Sequence, residues 1–545
     1  MTKKSAELKK YTRTLAVLLV FVMIAMQATR IVRLGNVKSG FHVDEMLTYT
    51  LSNYPDTFVK DTEGLFENWV SGDVYEKTLS VATENRFDYK MVTNNQSKDV
   101  HPPLYYYIIH TVASMVPGTF SKWIGIIPNL IFAVFTTILF YGINRKIFKN
   151  ELAAVFCTAV WTFSIAAMNG AIFIRMYTIL TFFAVLLARI HLKALDEIKE
   201  AGCISKKTYG CFFLCTCMGI LTHYYYMIFC FFLCGIFFFY LLRRKNWKQQ
   251  ISYCLAEGGA ILAAILCYPT MLTHIFSGYR GKQAMESLNN FQGMKESVKT
   301  ALSIIDGQLF NRQGEKIIVI MLILAIVLFV LKKLNKGKEK ESLSICRESE
   351  LETTFIVAAS AVVAVGYVTV IAKIAPYVTD RYFLCVFPLI VLSVVYTASV
   401  LVSKLVKREV AVLVVLAFLL LTSRSRTTQH LNYLYGHYDQ RIASLEPYHG
   451  ASAVILNGEY GSAPDEWLWE CGNYDMIYRC SGGGKYEGLK TAVETKDLSE
   501  GFLIYAHGIY EPDEVVRKIV EKQIKITSFE KVTDIGCRVY FCTIE

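Results

Sequence analysis

Residues 9–45 read KKYTRTLAVLLVFVMIAMQATRIVRLGNVKSGFHVDE: a basic cluster, an apolar run at 15–29, and a polar exit that ends on two acids, Asp44 and Glu45. With Lys3, Lys4, Lys9, Lys10 and Arg13 on its amino side, the run has the pattern of a membrane span whose N-terminus stays in the cytoplasm. A cleaved signal peptide, cut near residues 25–28, is the alternative reading. Either way, the acidic pair is expected at the outer mouth of the membrane.

Working outward, the same alternation of apolar run and basic connector recurs along the chain. Its 545 residues are 53% hydrophobic with a mean hydropathy of +0.35, more apolar than an ordinary soluble protein. Further spans are expected at 123–141, 152–167, 172–187, 209–221, 226–242, 251–275, 317–331, 354–371, 383–402 and 410–421, about eleven with the first. On that threading Arg145 and Lys146, Lys206 and Lys207, Arg243 and Arg244, Lys332 and Lys333, and Lys404 and Lys407 all face the cytoplasm. The formal charge of +11 is therefore a topology signal, and a nucleic-acid partner is excluded. Most of the 15 cysteines sit inside apolar runs as small hydrophobes. Cys211, Cys215 and Cys217 have metal-like spacing in an apolar setting, and Cys471, Cys480, Cys537 and Cys542 leave a disulfide open.

Three regions fall outside the spans. Residues 34–103 form a long acidic external loop, and 104–117 are too short to cross a core about 30 Å thick and read as a juxtamembrane helix. The external loop 276–316 is basic, against the usual trend. Beyond a membrane region at 1–423, residues 424–545 read as a small extracytoplasmic α/β domain, with strands near 453–456, 502–505 and 538–542 and a helix at 511–522. Ser481-Gly-Gly-Gly-Lys485 lacks the Walker spacing and is read as a turn.

Polar constellations from distant parts of the chain land on the outer face of this threading. They are Asp44-Glu45, His101-Pro-Pro-Leu-Tyr105-Tyr-Tyr107, Ile174-Arg175-Met-Tyr177, Thr222-His223-Tyr224-Tyr-Tyr226 and Asp380-Arg381-Tyr382. Each alone has a plain explanation: a helix N-terminus for acids, a proline helix start, a snorkelling arginine, interfacial tyrosines. Their shared position is what points to function, because ionisable groups at membrane depth are functional candidates by default.

In this order the motifs resemble the GT-C glycosyltransferases, and in particular the bacterial branch related to protein O-mannosyltransferases and aminoarabinose transferases. The resemblance covers residues 10–420 and leaves the tail outside it. It implies a polyprenyl-phosphate sugar donor, a glycan, lipid or protein acceptor, and transfer with inversion. It also implies that Asp44 is the general base, with Glu45 beside it holding the acceptor or the site's geometry. The departing lipid phosphate needs cations, for which Arg175, His223 and Arg381 are the candidates, with Arg280 or Lys282 completing the clamp. His101, Tyr105, Tyr177, Tyr224 and Tyr382 are expected to bind or support substrate. Some members of this class use a divalent metal such as Mg or Mn near the acidic motif, which the sequence leaves open.

Other classes fit less well. A transporter or lipid flippase is expected to show internal repeats and helices broken near the midplane. A scaffold that merely displays the tail leaves Asp44 and Arg175 without a task. A polymerase or ligase is expected to carry its large external loop later in the chain.

Overall fold

The computed structural model describes residues 3–55, 66–289, 293–334, 344–403, 431–458, 467–480 and 486–545. Helix α1 (Lys3–Val37) leads through a short turn into α2 (Val43–Asn53). The first loop then gives a strand, β1 (Trp69–Ser71), and two short helices, α3 (Gly72–Lys77) and α4 (Tyr89–Lys98). Next come α5 (Leu104–Met115), α6 (Trp123–Phe148), α7 (Glu151–Thr162), α8 (Ile165–Ile172), α9 (Tyr177–Ala201), α10 (Lys206–Thr222), α11 (Tyr226–Arg243) and α12 (Trp247–Cys267). The series continues with α13 (Thr270–Phe276), α14 (Tyr279–Asn289), α15 (Met294–Phe310), α16 (Gly314–Leu334), α17 (Ser344–Ile374) and α18 (Phe387–Ser403).

Among the described residues, seven helices are long and apolar enough to cross a membrane, or nine if two bent pairs each count as one span. With the bent pairs counted, these nine match nine of the eleven expected spans. The expected span 209–221 corresponds to α10, whose 17 residues extend about 25 Å and fall just short. The pairs α7 with α8 and α15 with α16 bend by 53° and 86°. The expected span 410–421 lies outside the described residues, as does the Ser481–Lys485 turn. At the second bend Asn311 and Arg312 take left-handed backbone. Ser164 caps α8 by accepting from the Ala167 N–H, and Pro269, which has no N–H to donate, separates α12 from α13.

Helix faces sort as a bundle in lipid requires. On α12, Tyr253, Ala260 and Ala264 are buried while Leu255, Leu262 and Leu266 are exposed, and Phe231, Phe239 and Phe329 likewise point outward. Exposed apolar surface on that scale suits contact with acyl chains rather than water. Helix α5, 12 residues long, is too short to span. The basic loop 276–316 folds into α14 and α15.

The tail contains β2 (Ala453–Asn457), β3 (Met476–Arg479), β4 (Phe502–His507), β5 (Ile526–Thr533) and β6 (Arg538–Ile544). Sheet order is β1-β3-β2-β4-β6-β5, with β2 parallel to β3 and β4 and the remaining pairs antiparallel. Strand β1 comes from the first loop and pairs Trp69 with Tyr478 and Ser71 with Met476, so the sheet is composite. Gly72 is needed there: a Cβ would lie 2.2 Å from the Cys471 carbonyl oxygen and 2.3 Å from that of Tyr474. One sheet face, with Val454, Leu456 and Ile504, packs on Leu489, Ala492, Val516 and Val520 of two tail helices. The other, with Ile455, Ile477, Leu503 and Tyr505, belongs to the same core as the bundle. Cys471, Cys480, Cys537 and Cys542 are all buried.

Candidate active site

After α1 the chain turns at Lys38 and reaches His42, which caps α2. His42 Nδ1 accepts from the Asp44 N–H at 3.1 Å, and the Glu45 carboxylate accepts from the His42 N–H at 2.8 Å, a reciprocal capping box. The box sends the two neighbouring acids in different directions. Glu45 is fully buried, where Lys38 Nζ donates to Oε2 at 3.0 Å and the Ile174 N–H donates to Oε1 at 2.8 Å. Asp44 faces a cavity of about 400 Å³. Glu45 therefore does not share that cavity with Asp44. It ties the Asp44 helix to the turn before Arg175, the geometry-holding half of its expected role.

Arg175 sits in the tight turn between α8 and α9, its N–H donating to the Phe173 carbonyl at 2.7 Å. The side chain is buried, and Nη1 donates to Thr48 Oγ1 at 3.1 Å, to the Tyr106 hydroxyl at 2.9 Å and to the Asp44 carbonyl at 3.3 Å. Its Nη2 lies 3.3 Å from His101 Nε2, and His101 Nδ1 lies 2.9 Å from Asp99 Oδ2. A guanidinium can only donate, so His101 Nε2 accepts and Nδ1–H serves Asp99.

Arg381 closes the ring from the turn before α18. Its Nη1 is 2.7 Å from Asp44 Oδ2 and its Nη2 donates to the Tyr377 hydroxyl at 3.0 Å. The guanidinium lies 5.7 Å from the Phe173 and Tyr377 ring centroids and 5.5 Å from that of Tyr382, an aromatic cage that orients the charge. His223, at the end of α10, is buried, and its Nδ1 accepts from the Tyr225 N–H at 3.0 Å, so its Nε2 carries the proton.

One cavity thus gathers Asp44, Asp99, His101, Arg175, His223, Arg280 and Arg381, together with Tyr177, Tyr224 and Tyr382. Its apolar wall comes from Met227, Ile228, Ile275, Met285, Leu288 and Ile374. Besides Glu45, two expected residues are elsewhere. Lys282 does not line the cavity, and Tyr105 is fully buried beside Asn129. Tyr106, its neighbour on α5, is the tyrosine that reaches Arg175.

Burial raises the Asp44 carboxyl, but the Arg175 and Arg381 guanidiniums outweigh it and hold the group below its ordinary value. Burial likewise raises Asp99, and His101 brings it below the ordinary value. His223 is pushed well below its usual value by burial and then by His101, Arg175 and Arg381. It is accordingly a neutral donor, not the cation expected from sequence. His42 is pushed down to about 4, chiefly by burial.

Arg175 Nε and Arg381 Nε are buried donors with no protein acceptor. Such groups are rare and costly, and here both belong to arginines that line one cavity. Among the described residues, the one group of three side chains spaced to hold a metal ion is His191, Cys234 and Glu257, on α9, α11 and α12 and away from this cavity. Beside Asp44 the cationic positions are taken by arginines. Cys211, Cys215 and Cys217 form no such group.

Sequence reading missed Asp99, Tyr106, His274, Tyr377 and Lys38 as parts of the site. His274 was the least visible: it lines the cavity and meets the Tyr224 hydroxyl at 2.9 Å from a helix that reads as the end of a longer span. Asp99 was visible, two residues before His101, as an acid positioned to orient an imidazole.

No family model matches the chain, and no curated protein does. Among solved structures, ArnT from Cupriavidus metallidurans bound to undecaprenyl phosphate is similar over 96% of this chain and 97% of its own, at 10% identity and a TM-score of 0.51. The same protein in the apo state matches 81% of this chain and 87% of its own at 10% identity, with a TM-score of 0.35, and the fold assignment rests on the first. The chain is a polytopic helical membrane protein with the GT-C fold of ArnT, carrying a small sheet unit at its C-terminal end.

Proposed function

We propose that the chain is a glycosyltransferase of the cytoplasmic membrane that takes a sugar from a polyprenyl-phosphate carrier and passes it, with inversion, to a hydroxyl or amine acceptor at the outer face. The observation that carries this reading is the cavity itself. A carboxylate, two arginines with unused N–H groups and a neutral histidine donor meet beside an apolar wall suited to an isoprenoid chain. The resemblance in fold to a protein crystallised with undecaprenyl phosphate supports the carrier class.

In this reading the acceptor O–H lies against Asp44. As its oxygen forms a bond to the sugar's anomeric carbon, the proton passes to the Asp44 carboxylate, worth about 10² to 10⁴ in rate. The bond between that carbon and the phosphate oxygen breaks, and its electron pair leaves on the lipid phosphate. Arg175, Arg381 and the Nε2–H of His223 receive the growing charge, each donor contributing on the order of 3 kcal/mol in a partly dry site. Arg280 stands at the rim for the phosphate's outer oxygens. Asp99 holds His101 against Arg175 and so keeps the guanidinium aimed. The basic connectors support an N-terminus in the cytoplasm and the sheet unit outside.

The test is turnover of purified protein in nanodiscs with a panel of polyprenyl-phosphate sugars, followed as release of free polyprenyl phosphate. Wild type is expected to release it, with Asp44→Asn slower by about 10² to 10⁴. Equal rates in the two proteins would remove Asp44 from the mechanism.

A further inference from the structure

The first residues described after α18 run through the site. The Tyr433 ring stacks on Phe173 with centroids 3.8 Å apart and planes at 15°. Phe173 is also one wall of the Arg381 cage and, through its carbonyl, part of the Arg175 turn. The Tyr433 hydroxyl donates to Asp380 Oδ1 at 2.7 Å, an atom that also accepts from the Arg381 N–H at 2.8 Å. Asn432 and Gln308 donate to the other oxygen at 2.9 and 3.2 Å. Buried Asp380 forms no ion pair among the described residues, so these donors hold its charge. On the opposite side, the Tyr433 carbonyl accepts from Lys38 Nζ at 2.6 Å, and Lys38 leads through Glu45 to the Ile174 N–H.

One residue therefore links the segments that carry Arg381, Asp44 and Arg175: the Arg381 turn through its hydroxyl, the Asp44 helix through its carbonyl by way of Lys38 and Glu45, and the Arg175 turn through its ring. We propose that Tyr433 is a positioning residue of the active site, so that the polypeptide leading into the sheet unit is a working part of the catalytic centre. Continuity of the core agrees. At Gly40, two residues before His42, a Cβ would lie 2.8 Å from the Tyr438 ring, which stacks on Trp467 at 5.8 Å. Phe41 packs on Trp469 at 6.1 Å. The proposal rests on the functional reading above only for its catalytic consequence, since the contacts stand without it.

The experiment uses the full chain in nanodiscs with undecaprenyl phosphate as the probe, comparing wild type, Tyr433→Phe and Tyr540→Phe, the last on the far face of the sheet. Two quantities are read: affinity for the probe, and amide hydrogen exchange of segments 41–48 and 377–384. Tyr433→Phe keeps the ring and its stacking, and unchanged elution and thermal midpoint establish that it is folded. The expected result is about tenfold weaker binding with faster exchange in segment 377–384, while Tyr540→Phe matches wild type. Tyr433→Ala, which also loses the stack, is expected to loosen both segments. Folded Tyr433→Phe with wild-type affinity and wild-type exchange overturns the proposal. If wild type itself fails to bind the probe, the functional reading fails. Exchange then decides on its own, unchanged protection in both segments of Tyr433→Ala overturning the proposal and faster exchange supporting it.

Discussion

Two buried arginines in this molecule each meet a carboxylate, and they are built differently. In the sheet unit Arg441 holds Glu470 with two bonds, at 2.6 and 3.0 Å, and donates from its remaining Nη1 to the Ile535 and Cys537 carbonyls at 2.8 Å. Its guanidinium stacks 3.9 Å from the Trp467 ring, and Glu470 takes a further bond from Tyr505. Nothing in that pair is left to offer. Arg381 meets Asp44 through a single contact, keeps an unpartnered Nε–H, and borders an open cavity. A saturated pair fixes structure, and in the proposed function the unsaturated one is the pair that meets substrate. The contrast separates a scaffold from a site without reference to any motif.

That contrast breaks most readily at its saturated end. Arg441→Met leaves Glu470 buried and uncompensated, and is expected to cost about 3–5 kcal/mol of stability. Thermal unfolding followed by fluorescence of Trp467 and Trp469 reads it, and a midpoint equal to wild type would show that the pair is dispensable. Arg381→Gln should do the reverse. Turnover is expected to fall about 10²-fold, on the order of 3 kcal/mol, with a stability change below about 1 kcal/mol, because Asp44 still reaches solvent through the cavity. A large loss of midpoint in this variant would make the Arg381 contact structural after all.

The finest distinction concerns pH. Asp44 is held below its ordinary 3.8, so it is ionised above the usual carboxylate range and protonates only as pH falls beneath it. His223 is held well below 6.5 and stays neutral until pH falls far under that value. Neither changes charge between about pH 5 and 8, where the lipid phosphate itself titrates near pH 6. His223→Gln is therefore expected to bind undecaprenyl phosphate about threefold more weakly at every pH, with the wild-type slope. A rise in wild-type affinity below pH 6.5 that vanishes in the variant would mean that His223 binds as a cation.

The sequence shows the architecture where physics is local. Apolar runs of spanning length, basic connectors, the Pro102-Pro103 start of α5 and the alternating β-branched strands 453–457, 502–507 and 538–544 are each legible in a short window. Asp44, Arg175, His223 and Arg381 could be gathered because all lie at the outer ends of such runs. What stayed hidden depends on partners remote in the chain. Nothing within Val43–Asn53 says that Glu45 turns away from Asp44, since that is decided by Lys38 and the Ile174 N–H. Tyr105 and Tyr106 are adjacent and alike, and only the position of Arg175 chooses between them. Tyr433 falls in the tail that the resemblance leaves outside it, and β1, at three residues, is too short for any periodicity. Breaks within helices were partly legible: Pro269 marks one, while the 86° bend between α15 and α16 falls at Asn311 and Arg312, whose left-handed backbone no proline or glycine announces.

The pairing of β1 with β3 has a consequence for how the protein is made. Trp69 leaves the ribosome roughly four hundred residues ahead of the strand it joins, a wait of tens of seconds at ~5–20 residues per second. Until β3 has been made the first loop has no edge to bind, and a chain that stops before it keeps Trp69–Ser71 as an unsatisfied strand open to proteases. Closure of the sheet thus reports that Met476–Arg479 has been made and has arrived beside the first loop.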